Sequence, residues 1–248
     1  MIKISIISAI YNNKNYIQHS IDSFSAQSLR NKDHIVIDGN STDGTKEFLL
    51  ENKSYFSRLV SEKDSGVYDA LNKGLKLANG DVVGLLHSDD LYANKNVLKK
   101  ISKIFFDPKV DIVYGDLDYI SKDNSNKIIR HWKAGKFHPD KLKSGWMPPH
   151  PTFFIRRKLL NKIGGFDTGY KIAADYDFML RALTQKYIKV VYLPEVLIKM
   201  RVGGMSNRSL KNILLKSYED YQIIRRHKIG GFGTLLCKNL SKISQFFP

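Results

Sequence analysis

The stretch "VVGLLHSDDLY", residues 82–92, decides how the chain folds. It opens as an apolar run, Val82 to Leu86, of the length and type of a strand buried on both faces. It then meets His87, Ser88, Asp89 and Asp90. Two adjacent carboxylates beside a core repel each other and are poorly solvated. A positive partner is needed there: a helix N-terminus, a basic side chain or a metal ion.

Working upstream, the same strand-then-polar pattern recurs. "KISIISA" (3–9) is a first strand, and Ile17, Ile21 and Phe24 then share a helical face. "HIVID" (34–38) is a second strand, with a helix after "NSTDGT". "RLVSE" (58–62) is a short third strand. Val67, Ala70, Leu71, Leu75 and Ala78 follow at helical spacing, and "NGD" ends that helix. This β-α-β-α-β-α-β order predicts an α/β fold: an open, mostly parallel sheet with helices on both faces. Ligands of such sheets sit beyond the C-terminal ends of the strands. Asp38, Glu62, Asp64, Asp89 and Asp90 all fall at those ends. Any one of them is equally well read as a helix N-cap. Several on one sheet edge point to a site.

Downstream the pattern is less regular. "DIVYGDLDYI", "NKIIRHWK" and "PTFFIRR" read as partly antiparallel strands, and "YIKVVYLPEVLIKMR" as two strands around Pro194. "ADYDFMLRALTQ" reads as a helix. From Leu210 a new helical face begins, with Ile213, Leu214, Tyr218, Tyr221 and Ile224. After "GGFG" (230–233) a second follows: Phe232, Leu235, Leu236, Leu240, Ile243, Phe246 and Phe247, opposite Lys238 and Lys242. The predicted organisation is a catalytic-type domain over 1–206, with halves 1–100 and 101–206, and a basic amphipathic tail over 207–248.

Charge supports that division. Residues 1–100 carry 13 Lys and Arg against 12 Asp and Glu, residues 101–206 carry 19 against 10, and residues 207–248 carry 8 against 2. The basic excess therefore lies outside the acidic sheet edge. It suits nucleic acid, an anionic membrane surface, a phosphorylated substrate or simply a Lys-rich solvated surface. Cys237 is the only cysteine, which fits a reducing cytoplasm. No run is apolar and long enough for a transmembrane helix. "MIKISIISAIYNN" lacks a basic n-region and a small-residue cleavage site, and reads as a first strand instead of a signal peptide.

Five pieces now stand in a familiar order: "ISIISAIYNNKNYIQHSIDSFSAQ", "IVIDGNSTDGT", "SEKDSGVYDALNKGLKLANGDVVGLLHSDDLY", "MPPHPTFFIRR" and "IGGFDTGYKIAADYDFMLR". Over roughly residues 3 to 206 the chain resembles the inverting family-2 glycosyltransferases of the GT-A fold. Among these it is similar to enzymes that extend lipid-linked oligosaccharides for bacterial O-antigen or capsule. The resemblance implies a donor sugar nucleotide, of the UDP class, and a divalent ion, Mn²⁺ or Mg²⁺, at an Asp-x-Asp motif. Here His87 stands at the first Asp, Asp89 matches the second, and Asp90 is its neighbour or a second ligand. The ion neutralises the departing diphosphate. Ala9 and Tyr11 then border the base and ribose, and Ser88, Asp64 and Asn72 fall in the donor pocket. The family often has two Asp residues where this chain has Asp38-Gly39, so Asp38 or backbone groups must contact the base.

Asp175, in "AADYDF", matches the family's catalytic base. An inverting transfer needs one carboxylate to take the acceptor hydroxyl's proton during in-line attack. An N-cap is the alternative role for Asp175. Asp177 orients the loop or the helix. Trp146 and His150 form an acceptor platform, His150 is a third metal ligand, or both are packing residues. Arg201, in "MRVGGMSNRS", precedes a glycine-hinged segment that closes over the diphosphate. The expected acceptor is a lipid-linked saccharide. The tail is expected to dock on anionic lipid at the inner face of the cytoplasmic membrane, or to pack on the domain or on a second copy as an oligomer contact.

Two other classes compete. A nucleic-acid-binding module accounts for the net charge of +16, but the chain has no recognition motif and its acidic edge repels phosphate backbones, so no nucleic-acid partner is expected. A sugar nucleotidyltransferase would carry a Gly-rich phosphate loop near the first strand, and "SAIYNNKN" has none. An inactive sugar-nucleotide-binding protein is compatible with His87 and Gly39.

Overall fold

Residues 1–203 and 209–241 are described by the computed structural model. The N-terminal half alternates as its periodicity demands. Strands β1 (Ile4–Ile10), β2 (Lys32–Asp38), β3 (Arg58–Ser61) and β4 (Val82–Leu85) are separated by helices α1 (Lys14–Ser25), α2 (Thr45–Glu51) and α3 (Val67–Leu77). They pair in parallel in the order β3-β2-β1-β4. Central β1 is covered on both faces because successive side chains alternate. Ile7 joins the cluster that includes Ala70 and Leu71 of α3, while Ile4 and Ile6 join the cluster of Phe24 from α1. At Gly74 a Cβ would lie 2.3 Å from the Ile7 side chain, so only glycine lets α3 approach β1 this closely.

The second half completes the sheet. It contains β5 (Leu91–Tyr92), α4 (Val97–Ile104), β6 (Val110–Ile120), β7 (Ile128–Trp132), β8 (Phe154–Arg156), α5 (Arg157–Ile163), α6 (Ala174–Leu183) and β9 (Lys189–Arg201). Among the described residues nine strands form one sheet, in the order β3-β2-β1-β4-β8-β6-β9-β5, with β7 pairing onto β6. β8 runs antiparallel to both β4 and β6, which makes this region mixed. The architecture is the expected α/β one. The two strands expected around Pro194 are one strand. β6 pairs Gly115 with Leu193 and then Asp116 with Val196, so Pro194 and Glu195 form a bulge. A proline lacks the ladder N–H, and a bulge is where a continuous strand tolerates it.

The C-terminal helices are α7 (Leu210–Arg226) and α8 (Phe232–Leu240). Their faces are partly inverted relative to the sequence pattern. On α7, Ile224 is buried as expected and Ile223 is buried beside it, but so are Glu219 and Asp220, while Leu210, Leu214 and Tyr218 face solvent. On α8, Lys238 is 3% exposed although the apolar pattern puts it on the outer face, and Phe232, Leu236 and Leu240 are exposed. The cause is electrostatic. Lys238 Nζ lies 2.6 Å from the buried Asp220 carboxylate and 3.2 Å above the Tyr176 ring. Lys216 Nζ holds the other Asp220 oxygen at 3.2 Å, so the buried carboxylate is paired on both sides, and breaking a buried pair costs on the order of 3–5 kcal/mol. That outweighs burial of one more leucine, about 1.5–3 kcal/mol. Burial pushes the Lys238 ammonium down to about 7, with Asp220 opposing. Lys242, Ile243, Phe246 and Phe247 lie outside the described residues. No described helix is long and apolar enough to cross a membrane.

Candidate active site

The turn after β4 is built by its neighbours. The His87 carbonyl accepts from Ser20 Oγ of α1 at 3.1 Å and from the Asp90 N–H at 3.1 Å. Ser88 is buried, and its Oγ accepts from Asn13 Nδ2 at 2.5 Å. Strand β9 pairs antiparallel with β5, which brings Arg201 to the same turn. Its guanidinium donates to the Asp89 carbonyl at 2.9 Å, meets His19 Nδ1 at 3.1 Å and stacks over Tyr16. Arg201 therefore lies against the turn and is itself buried. The segment expected to close over the diphosphate continues from it into residues 204–206, outside the described ones.

Asp90 is wholly buried, and neither carboxyl oxygen has a hydrogen-bond partner among the described residues. Burial first, then the neighbouring Asp89, hold its carboxyl well above the usual carboxylate range, with Arg201 opposing. Asp89 is half-buried. No group of three or more His, Cys, Asp and Glu that could hold a metal occurs among the described residues. Asp89 and the two orphaned oxygens of Asp90 nonetheless fit a hard divalent ion. Such ions are commonly held by one or two carboxylates, with substrate phosphates and water filling the other positions.

A polar line crosses from this turn to α6. His87 Nε2 and His150 Nε2 are 3.0 Å apart, and His150 Nδ1 is 3.3 Å from Asp175 Oδ2. Burial, reinforced by His150, pushes the His87 imidazole down to about 3. Burial also lowers His150, with Asp175 pulling the other way. With both rings neutral, one tautomer satisfies the whole line: His87 donates to His150, and His150 donates to Asp175. Asp175 is not a cap. Ala173 is the N-cap residue of α6 and makes no side-chain capping bond, and the Asp175 carboxylate faces His150 with a fifth of its surface open. Tyr68 Oη of α3 stands 3.5 Å from Asp175 and donates to the Ile172 carbonyl at 2.6 Å.

The nucleotide end lies over β1 and β2. Tyr11 is exposed and Ala9 is half-buried beside it. Asp38 is wholly buried. Its carboxylate accepts from Ser41 N–H, from Ser41 Oγ at 2.5 Å and from Ser61 Oγ at 2.6 Å. Those bonds turn it toward the loop it braces. Asp64 occupies the space it leaves: a Cβ on Gly39 would lie 2.6 Å from Asp64 Oδ2 and 3.3 Å from the Tyr11 ring. Asp64 Oδ1 also accepts from the Gly66 N–H ahead of α3. Asn72 is a two-way clip, donating to the Phe166 carbonyl and accepting from the Phe166 N–H, each at 2.8 Å. Trp146 packs edge-on to Tyr114, and its Nε1 donates to the Ala134 carbonyl at 3.0 Å.

His87, Asp89, Asp90, His150 and Asp175 are thus gathered at one edge, with Tyr11, Asp64 and Gly39 beside β1 and β2. Tyr68 and Glu219 were missed. Tyr68 stands three and seven residues before Leu71 and Leu75, on the apolar side of α3, where its spacing marks only a packing residue. Glu219 carried a signal: it and Asp220 are the only acids in residues 207–248, and they are adjacent.

A family model described as "Glycosyl transferase family 2" matches residues 5–173. An uncharacterised glycosyltransferase of Mycobacterium tuberculosis is 32% identical over 182 residues, covering 72% of this chain and 68% of its own. A PGL/p-HBAD biosynthesis glycosyltransferase of Mycobacterium bovis is 29% identical over 201 residues, covering 79% of this chain and 76% of its own. Among solved structures, S. aureus TarS 1-349 in complex with UDP-GlcNAc superposes with a TM-score of 0.68 at 20% identity. The match covers 91% of this chain and 65% of the TarS fragment, so this chain spans less than two thirds of that one. The mannosyltransferase PcManGT of Pyrobaculum calidifontis, with GDP-Man and Mn²⁺, superposes with a TM-score of 0.65 at 18% identity, covering 98% of this chain and 74% of its own.

Proposed function

The chain belongs to glycosyl transferase family 2, and on that premise we propose that it is an inverting, metal-dependent transferase that moves a sugar from a UDP-sugar to a hydroxyl of a lipid-linked saccharide. The observation that carries this is Asp175. Its carboxylate is free of capping duty, is oriented by His150, and is linked through that ring to His87, where the Asp89–Asp90 turn begins. A carboxylate so held suits a general base for an acceptor hydroxyl. Asp89, with Asp90, would hold Mn²⁺ or Mg²⁺, whose chemistry is to neutralise the departing diphosphate. Ser88 borders the sugar diphosphate, and Arg201 fixes the turn that bears the carboxylates. Ala9 and Tyr11 flank the base and ribose. Asp64, in the space above Gly39, is the base-side acceptor, while Asp38 holds the loop and Asn72 the pocket wall. Trp146 and His150 line the acceptor side. UDP-sugar and metal use are supported by the TarS complex with UDP-GlcNAc and the PcManGT complex with Mn²⁺, which are neighbours in fold.

The test is donor hydrolysis across UDP-, GDP- and dTDP-sugars with Mn²⁺. Turnover of UDP-sugars alone is expected. Turnover of another nucleotide class alone would overturn the UDP assignment, and no turnover of any would favour an inactive binding protein.

A lipid-linked acceptor places the enzyme at a bilayer, for us the inner face of the cytoplasmic membrane, in polysaccharide assembly of the O-antigen or capsule type. Support comes from the net basic residues 207–248 and from Leu214 of α7 and Phe232 and Leu236 of α8, which are exposed. Each Lys or Arg near anionic lipid contributes about 1 kcal/mol, and apolar side chains add insertion energy. We expect the full chain to co-sediment with vesicles containing anionic lipid, less so at high salt. Leu214→Glu with Leu236→Glu, both on the surface, should abolish this. Unchanged sedimentation would exclude these helices as the anchor. A change of oligomeric state in the variant would instead identify a self-association surface.

A further inference from the structure

We infer that Glu219, on α7, is a positioning residue for the transfer: it fixes the backbone that carries Asp175. The inference rests on the reading of Asp175 as the base. Glu219 is 4% exposed, and its carboxylate accepts three consecutive backbone N–H groups. Oε1 takes Lys171 at 2.8 Å, and Oε2 takes Ile172 and Ala173, both at 2.9 Å. Ala173 is the residue at which α6 begins, and Asp175 lies two residues further on. From the opposite side Tyr68 Oη holds the Ile172 carbonyl at 2.6 Å. Residues 171–173 are therefore clamped between α3 and α7.

The residues after the base are held from the same quarter. Asp177 is fully buried between Arg181 of its own helix, at 2.7 Å, and His227 beyond α7, at 2.9 Å. The Tyr176 ring lies under Lys238, which Asp220 pairs. The positions on both sides of Asp175 are thus fixed by groups between residues 219 and 238. Asp175 itself is left to face His150.

The physical case is one of geometry. Hydrogen bonds from N–H to a carboxylate are roughly twice as strong as neutral ones. Here three converge on one buried group, where water does not compete. A general base must hold its oxygen within hydrogen-bond reach of the proton it takes. A misplacement of about 1 Å costs on the order of 10²-fold in rate. Glu219 spends its carboxylate on the backbone of residues 171–173, on the Asp175 side of the site, so its loss should act on chemistry and spare donor binding.

The experiment uses the full chain with Glu219→Gln. The amide keeps the size of the side chain, but its NH₂ end must oppose at least one of the three N–H groups. Transfer at saturating substrates should fall by roughly 10–100-fold, with donor Kd unchanged within about threefold. Amide exchange over 171–175 should quicken while the β1–β4 amides keep their protection. A folded Glu219→Gln with loosened 171–173 and wild-type kcat would overturn the inference, as would a parallel loss of rate and donor affinity. If Glu219→Gln does not fold, Glu219→Asp decides, since it keeps the charge but draws the oxygens back by one methylene: a wild-type kcat overturns the inference, and a lowered kcat with unchanged donor Kd supports it. Asp175→Asn separates the two levels. Near wild-type transfer in Asp175→Asn sinks the base itself, whereas an inactive Asp175→Asn beside a fully active Glu219→Gln sinks only the positioning role.

Discussion

Asp175→Asn is expected to lower transfer by roughly 10²–10⁴-fold, the range of a lost general base, with donor affinity close to wild type. The substitution conserves shape. The amide oxygen still accepts from His150 Nδ1, so the local structure has no reason to move. The variant loses the capacity to take a proton, and with it one negative charge in the first turn of α6. Loss of a cap would be the competing account, at about 0.5–2 kcal/mol of stability, but Asp175 makes no capping bond. A rate loss without a change in melting temperature is therefore the signature to measure. Transfer by Asp175→Asn at near wild-type rate would show that another carboxylate takes the proton.

Asp89→Ala is expected to lower transfer by roughly 10²–10³-fold, the scale for removing a preorganised charge-stabilising group. Here donor binding should weaken too, by about tenfold or ~1.4 kcal/mol. The reason is that an ion held by Asp89 would neutralise the diphosphate charge before and during departure, so losing the ligand would affect ground state and transition state alike. Asp90 cannot replace it alone, since burial favours its neutral form and Arg201 is already committed to the Asp89 carbonyl. The two variants are thus told apart by donor affinity, titrated with and without Mn²⁺. In wild type the ion should tighten donor binding, and in Asp89→Ala it should not. Full wild-type activity in excess EDTA would remove the metal from the mechanism.

Much of this site was legible in the chain, because its parts sit at strand ends and strands announce themselves locally. "VVGLLHSDDLY" shows a core strand and the charges that follow it without reference to anything distant. The positive partner it demands was only a set of possibilities. Arg201 is one such partner, and it comes from 111 to 112 residues away through the pairing of β9 with β5. His87 and His150 are 63 positions apart, and their meeting is likewise invisible to a periodicity argument. The alternatives for Asp175, cap or reacting group, differ by the direction of one side chain.

The N-terminal succession of strands and helices along the chain and the acidic strand ends were determined by the sequence alone, because hydrophobic period and turn chemistry are properties of neighbours in the chain. The C-terminal helices show the opposite case. Their apolar faces predicted which side would be buried, yet α7 buries Glu219 and Asp220, and α8 buries Lys238. Three backbone N–H groups before α6 need an acceptor, and the Asp220 carboxylate needs its two lysines, and an unsatisfied buried polar group costs more than an exposed apolar one. Those N–H groups belong to residues 171–173, nearly fifty positions from Glu219. Only the tertiary structure brings the two together, and only there does the demand that turns the helix arise.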